Sequence, residues 1–369
     1  MRVSTSLMCV ILTVANTVLG RIRWRPSKEA CKTPSVRREW RDLTQAERLD
    51  FISAVKCQQS NSGMTAETFS GVRSRYDDFV ALHISQADYV HWVVNIVVSS
   101  RLSGIVNVAR WHRYFLWLFE QALRNECFYK GSIPEDWARD SVDEASLINS
   151  PIFDAEYGFG GNGDYVEDLS VFPDEWKTAF DIPGRTGGGC IPNGPFAGVN
   201  ASMGPGNRTE YLPRCIRRDF SPWLMARALH TDTIAFVMGA STYFELEHRT
   251  EGLDLGIAAA SVHGGGHLGI GGVLGDMANT WSSTVDPIFW VHHGAIDRLW
   301  DRWQRIDWPK RKKDIGGPDT QWAYPYDYFG EKPYKNVTLD FAMNFGEIGG
   351  MINIREVMDV QASLCYTYS

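Results

Sequence analysis

The stretch Asp286-Pro-Ile-Phe-Trp-Val-His-His-Gly-Ala-Ile-Asp-Arg-Leu-Trp300 decides the fold of this chain. Asp286 suits the N-cap of a helix and Pro287 its first position, where a missing N–H costs nothing, so a helix is expected from Asp286 to Ile306. On that helix Phe289 lies four residues before His293 and shares its face, which sets its ring beside whatever His293 binds. His292 points about 100° away at 3.6 residues per turn and is expected to be a core residue or a neighbour of the site rather than a ligand. Asp297 and Arg298 follow one turn on. They either orient a ligand imidazole or pin neighbouring helices, and the spacing leaves both open.

His293 has company. His263 and His267 are four apart, so on a helix both imidazoles project from one face. The residues between them, Gly264, Gly265 and Gly266, each cost a helix roughly 1 kcal/mol against alanine, and the expected reason is an open approach to the site. A second group, His83, His91 and His112, lies earlier, and His112 opens the apolar run Trp111-His-Arg-Tyr-Phe115. Two sets of three imidazoles, with no Cys or carboxylate at a comparable place, read as two metal ions held by nitrogen. That donor choice favours copper or zinc over metals that prefer oxygen.

Trp111-His-Arg-Tyr-Phe115, His263-x-x-x-His267 and Asp286 to Trp300 together resemble the two copper signatures of tyrosinases, catechol oxidases and haemocyanins. The similarity runs from about Cys31 to Tyr368. It implies a mainly α fold, a central four-helix bundle holding a binuclear copper site, with long irregular loops and few short strands. It implies copper ligation by His83, His91 and His112 on one side and His263, His267 and His293 on the other. The activity implied is oxidation of o-diphenols, with o-aminophenols as further candidates, to o-quinones by dioxygen, and in some members hydroxylation of monophenols. Phe289 is expected to gate the coppers.

Departures from the family pattern carry information. Efficient monophenol hydroxylation goes with an Asn after the first ligand of the second copper, partnered by a Glu; here Gly264 occupies that place, Leu268 follows His267, and Glu251 is the counterpart of the acidic partner. Diphenol or aminophenol oxidation is therefore expected over monophenol hydroxylation. Gly131-Ser-Ile-Pro-Glu-Asp-Trp137 replaces the Pro-Tyr-Trp-Asp-Trp of many relatives, which is expected to alter packing behind the first copper. Tyr89 stands where some relatives have the Cys of a thioether crosslink, so none is expected. Tyr366-Thr-Tyr368 resembles the motif that closes the catalytic core near an N-terminal arginine, Arg37 or Arg38. With the chain ending at Ser369, the expectation is a short fungal type without a shielding domain or need of proteolytic activation.

The rest of the sequence sets the context. A charge of −7 gives no basic footprint for nucleic acid, and the Lys310 to Lys313 run is short. Val3 to Leu19, followed by Gly20 and the basic run Arg21 to Arg25, reads as a secretory signal over residues 1–20, leaving residues 21–369 as a single catalytic domain, secreted or luminal, with no membrane span. Six cysteines then remain, Cys31, Cys57, Cys127, Cys190, Cys215 and Cys365, with their pairing open. Asn200, Asn207 and Asn336 head glycosylation sequons. From Pro151 to Pro213 the Gly- and Pro-rich composition suggests functional surface or a disulfide-tied loop.

The substrate partners expected are dioxygen and a small phenol. An alternative is a tyrosine-containing precursor peptide of a fungal secondary-metabolite pathway. A haemocyanin-like oxygen carrier is the less favoured reading, and a dinuclear zinc hydrolase is disfavoured because neither cluster offers carboxylates.

Overall fold

The computed structural model describes residues 24–26, 31–90, 108–136, 139, 141–252, 260–319 and 335–369. The helices are α1 (Gln45–Ser60), α2 (Arg75–Val90), α3 (Val108–Cys127), α4 (Glu144–Ile148), α5 (Pro222–Ala228), α6 (Thr231–Met238), α7 (Tyr243–Glu251), α8 (Val262–Gly271), α9 (Ile288–Ile306), α10 (Trp308–Arg311) and α11 (Gly346–Gly349). Strands among the described residues form three two-stranded ribbons: parallel β1 (Ser35–Arg37) with β6 (Tyr366–Tyr368), and antiparallel β2 (Asn200–Ala201) with β3 (Arg214–Cys215) and β4 (Ala342–Asn344) with β5 (Met351–Asn353). The expected mainly helical fold is what forms. Helices α2, α3, α8 and α9 make the bundle, with α1 flanking α2 and α3, and α5 flanking α8.

Local chemistry moves some boundaries. Trp40, Leu43, Leu49, Ile52 and Val55 recur at helical spacing between Ser35 and Lys56, yet this stretch covers three structures: β1, a short 3-10 turn at Trp40–Asp42, and α1. Thr44 is the cause, because its side chain and Glu47 form a reciprocal capping box that starts the helix there. Phe79 to His83 lie in the middle of α2, which places His83 deep in the bundle. At α9 the helix begins at Ile288 with Pro287 before it, and Asp286 Oδ1 accepts the Ile288 N–H at 3.2 Å, so Asp286 caps from one residue further out.

The bundle interior is aromatic. Trp290 of α9 stacks on Phe119 of α3 with ring centroids 3.7 Å apart, and Phe79 of α2 meets both edge-on. The buried indole N–H has its acceptor: Trp290 Nε1 donates to Tyr76 Oη, which donates to the Thr284 carbonyl. The Gly- and Pro-rich loop is tied down rather than loose. Cys190–Cys215 bridges it, and buried Arg218 donates to both Asp286 oxygens and to the Gly160 carbonyl, fastening the loop to the start of α9. The other cysteines pair as Cys31–Cys365 and Cys57–Cys127. No helix among the described residues is long and apolar enough to cross a membrane.

The two chain ends meet behind the bundle. Cys31–Cys365 and the β1–β6 ribbon bring Arg37 under Tyr366, with the guanidinium carbon 3.6 Å from the ring centroid, so Arg37 rather than Arg38 is the arginine of the closing motif. Asp297 accepts from Arg113, Arg37, Tyr366 and Tyr368, all at 2.5–3.4 Å. It pins helices and termini together. Burial opposes its ionisation, but Arg113, Arg37 and the tyrosine hydroxyls outweigh that and hold its carboxyl below the usual range. Its stabilisation is therefore present above the unfolded carboxylate value and lost as pH falls through the lower folded one. Asp297→Asn should cost about 3–5 kcal/mol in urea unfolding at neutral pH, because it removes the carboxylate that pairs with buried Arg113, while Arg37 keeps Glu120. The gap to the parent chain should shrink below roughly pH 4; a gap that stays constant to pH 2 would contradict the assignment.

Candidate metal centre

Helices α2, α3, α8 and α9 each point imidazoles inward. His83 comes from α2, His112 from α3, His263 and His267 from α8, and His292 and His293 from α9. His91, expected in the early set, lies outside the described residues. The His112 and His293 rings stack at 3.9 Å, and the His83 and His112 centroids are 5.6 Å apart, so the two sets form one continuous site. His267 Nε2 and His293 Nε2 face each other at 3.1 Å.

Three of the rings are held from behind. His83 Nδ1 donates to the Trp281 carbonyl at 2.6 Å and His267 Nδ1 to the Met277 carbonyl at 2.7 Å. A carbonyl only accepts, so these bonds fix the proton on Nδ1 and leave a lone pair on Nε2. His263 Nδ1 lies 2.9 Å from Glu251 Oε2, at the end of α7. Sequence could not name Trp281 and Met277 for this work, since a backbone carbonyl has no residue signature.

Burial keeps the imidazoles neutral. It lowers His83, His263 and His267 to about 3 and pushes His292 and His293 well down. Lone pairs are thus available at neutral pH without competition from protons. Burial alone pushes the Glu251 carboxyl well up. A cation among these rings supplies the charge that such a carboxylate lacks, so the donor set fits a nitrogen-bound metal.

The surroundings refine the sequence expectations. Phe289 is fully buried, with its ring centroid 4.3 Å from that of His293, 5.1 Å from His83, 5.7 Å from His112 and 5.9 Å from His267. It stands between the two sets, as its face on α9 requires. Of the three glycines, only Gly264 has room for a side chain among the described residues: a Cβ there would come no nearer than 3.9 Å, in ordinary contact with Ala260. The expected open approach does not extend to the others, because a Cβ on Gly265 would strike Ala228 at 2.3 Å and one on Gly266 would strike His292 at 2.2 Å. Those two are spacers for packing α5 and α9 against α8. Gly264, His267 and Leu268, spaced i, i+3, i+4, are the half-buried residues on α8 and mark its accessible side.

The segment before Trp137, which itself lies outside the described residues, packs through charge. Glu135 pairs with Arg298 at 2.6 Å and Asp136 with Arg41 at 3.0 Å, while a Cβ on Gly294 would meet the Pro134 carbonyl at 2.8 Å. The segment therefore abuts α9 immediately after His293.

Comparison with known proteins places this geometry. Residues 73–306 match the family model "Common central domain of tyrosinase". The chain is 32% identical to "Tyrosinase P" of Aspergillus terreus over 92% of its own length and 93% of that protein. It is likewise 32% identical to "N-acetyl-6-hydroxytryptophan oxidase ivoB" of Emericella nidulans, over 90% and 92%. Among solved structures it is similar to that of a single-substitution mutant of a polyphenol oxidase from Thermothelomyces thermophila, with a TM-score of 0.74 and 28% identity, covering 91% of this chain and 89% of that one.

Gly264→Ala should be tolerated or raise stability by up to about 1 kcal/mol in thermal melts, whereas Gly265→Ala should cost roughly 1–3 kcal/mol by overpacking against Ala228. Equal effects at the two positions would refute the distinction.

Proposed function

The chain belongs to the tyrosinase family, and on that premise we propose that it oxidises o-diphenols to o-quinones, and o-aminophenols to o-quinone imines, with dioxygen, at one copper held by His83, His91 and His112 and a second held by His263, His267 and His293. The family assignment makes it a copper oxidoreductase. The observation that carries the ligand reading is the convergence of desolvated, neutral imidazoles whose Nδ1 protons are taken by Trp281 and Met277. Copper, when bound, supplies the electron transfer between phenol and dioxygen. Two diphenols give four electrons and four protons to one dioxygen, leaving two quinones and two waters.

The residues of the chain do the positioning. Trp281 and Met277 hold the His83 and His267 rings in one tautomer, and Glu251 sets the orientation of His263. Phe289 keeps the space between the two sets dry and apolar, and Gly264 and Leu268 frame the side from which a phenol ring enters. With Gly265 and Gly266 filled by neighbours, the opening is narrower than three glycines suggest. That supports a small phenol over a precursor peptide. The name of the ivoB relative, an oxidase of a hydroxylated aromatic amino acid, supports the same substrate class.

Gly264 offers no side-chain amide to orient a water, and Glu251 is engaged by His263, which supports diphenol oxidation over monophenol hydroxylation. The three disulfides support the reading of residues 1–20 as a signal and of a secreted or luminal protein, since such bonds persist in oxidising compartments. A main apolar core running from Trp40 to Tyr366, with a smaller cluster of Ile182, Leu224, Ala228, Val273 and Leu274 beside it, supports a single catalytic domain.

Copper analysis of the purified protein should give two ions per chain, with oxygen uptake on catechol and o-aminophenol and little on a simple monophenol. Gly264→Asn should raise the monophenol-to-diphenol rate ratio. Immediate, lag-free monophenol hydroxylation by the unaltered chain would refute the preference, and absence of uptake with every substrate would refute the oxidase assignment.

A further inference from the structure

A cavity of about 330 Å³ opens between the end of α1, the start of α2 and the β2–β3 ribbon, and among the described residues no histidine lines it. Val80, Ile216 and Val285 give its lining an apolar part, and Lys56, Gln59 and Ser202 a polar one. Among the described residues nothing engages the Lys56 ammonium or the Gln59 side-chain amide, so both are available to an occupant.

The lining does not suit an anion. Arg73, its second cation, donates to the Ser70 and Val72 carbonyls and stacks 4.1 Å from the Tyr211 ring centroid. The Asp77 carboxylate, which takes the Arg73 and Ser74 N–H groups, lies in the same wall and opposes the charge of Lys56. An uncharged occupant with hydroxyls on its rim and an apolar face fits both halves, and a pyranose ring has that make-up.

The chain supplies the point of attachment. Asn200 lines the same cavity, is exposed, has a side-chain amide that bonds to no other described residue, and heads the sequon Asn200-Ala-Ser202. Asn207 and Asn336 are exposed too, but neither is part of this lining. Ser202 is nine-tenths buried, and Cys190–Cys215 ties the ribbon beside it, so a sugar can be transferred only before the ribbon closes.

We propose that Asn200 carries an N-glycan whose first sugar, an N-acetylhexosamine, sits in this cavity and braces α1 and α2 against the ribbon. In the transfer, Asn200 Nδ2 bonds to the anomeric carbon of an oligosaccharide carried on a lipid diphosphate. The anomeric C–O bond breaks, the lipid diphosphate leaves with the electron pair, and the amide gives up one proton. The inference rests on the secretory reading of residues 1–20 and is independent of copper.

The test uses the full chain secreted from a eukaryotic host. Each sequon is mapped by releasing its glycan with a peptide N-glycosidase in heavy-oxygen water, which leaves a labelled Asp, and release is timed on folded and on denatured protein. Asn200 should be occupied and should release at least roughly tenfold more slowly from the folded chain, because the sugar is reached only when the cavity opens. The double variant Lys56→Ala/Gln59→Ala, which keeps the sequon, should narrow that gap. Asn200→Gln should lower the melting temperature of the secreted protein by about 2–4 °C, while the same pair made without glycosylation should melt alike; Asn207→Gln and Asn336→Gln should leave the melt unchanged. An unoccupied Asn200, equal release from folded and denatured chains, or a gap that the double variant leaves untouched would overturn the inference. Sugar at Asn207 or Asn336 with none at Asn200 removes this inference alone, whereas a chain that is neither exported nor glycosylated removes the secretory reading with it.

Discussion

Asp297 is the point on which the structure turns. One buried carboxylate receives two guanidinium groups and two phenol hydroxyls, from β1, α3 and β6, while its own backbone belongs to α9. Because α3 carries His112 and α9 carries His293, the same carboxylate that closes the chain ends sets the distance between the two helices whose imidazoles stack. A buried charge network of this kind adds little net stability against an apolar core, but its geometry is strict, and one unpaired member would be costly. Here that strictness holds the histidine-bearing faces of α3 and α9 against each other.

A second constraint works from the other side. Helix α8 must bring His263 and His267 close to α9 while also accepting α5, and it does so with glycines that leave room for Ala228, Met225 and His292. Its C-terminal turn is equally tight: Gly272 has φ +50° and a Cβ there would strike the Asp219 carbonyl at 2.1 Å, while the Asp219 side chain takes the Val273 N–H. Arg218, next to Asp219, binds Asp286 at the start of α9. Two adjacent residues of the loop strand thus register both helices of the late cluster.

Much of this was legible in sequence because it depends on period. The face shared by His263 and His267, the placement of Phe289 beside His293, the apolar run of α3 and the cap at Asp286 all follow from 3.6 residues per turn and from local hydrogen bonding. The start of α1 was also local, but the capping box at Thr44 outweighs the apolar spacing that runs back to Ser35. What period could not reveal is which neighbour fills a gap. Three consecutive glycines look alike in sequence, yet one has room for a Cβ beside Ala260, one faces Ala228 and one faces an imidazole.

By itself, then, the amino-acid sequence determined the helices, the sets of histidines and the kind of metal that nitrogen donors suit, because residue type and spacing along one helix carry those properties. Only the tertiary structure decided the cysteine pairing, the choice of Arg37, the carbonyls of Trp281 and Met277 behind the rings, and the packing of His292 against Gly266. Each of these is a contact between segments distant in the chain or on different helices. Its partner is chosen by how the helices pack, and no local pattern records that choice.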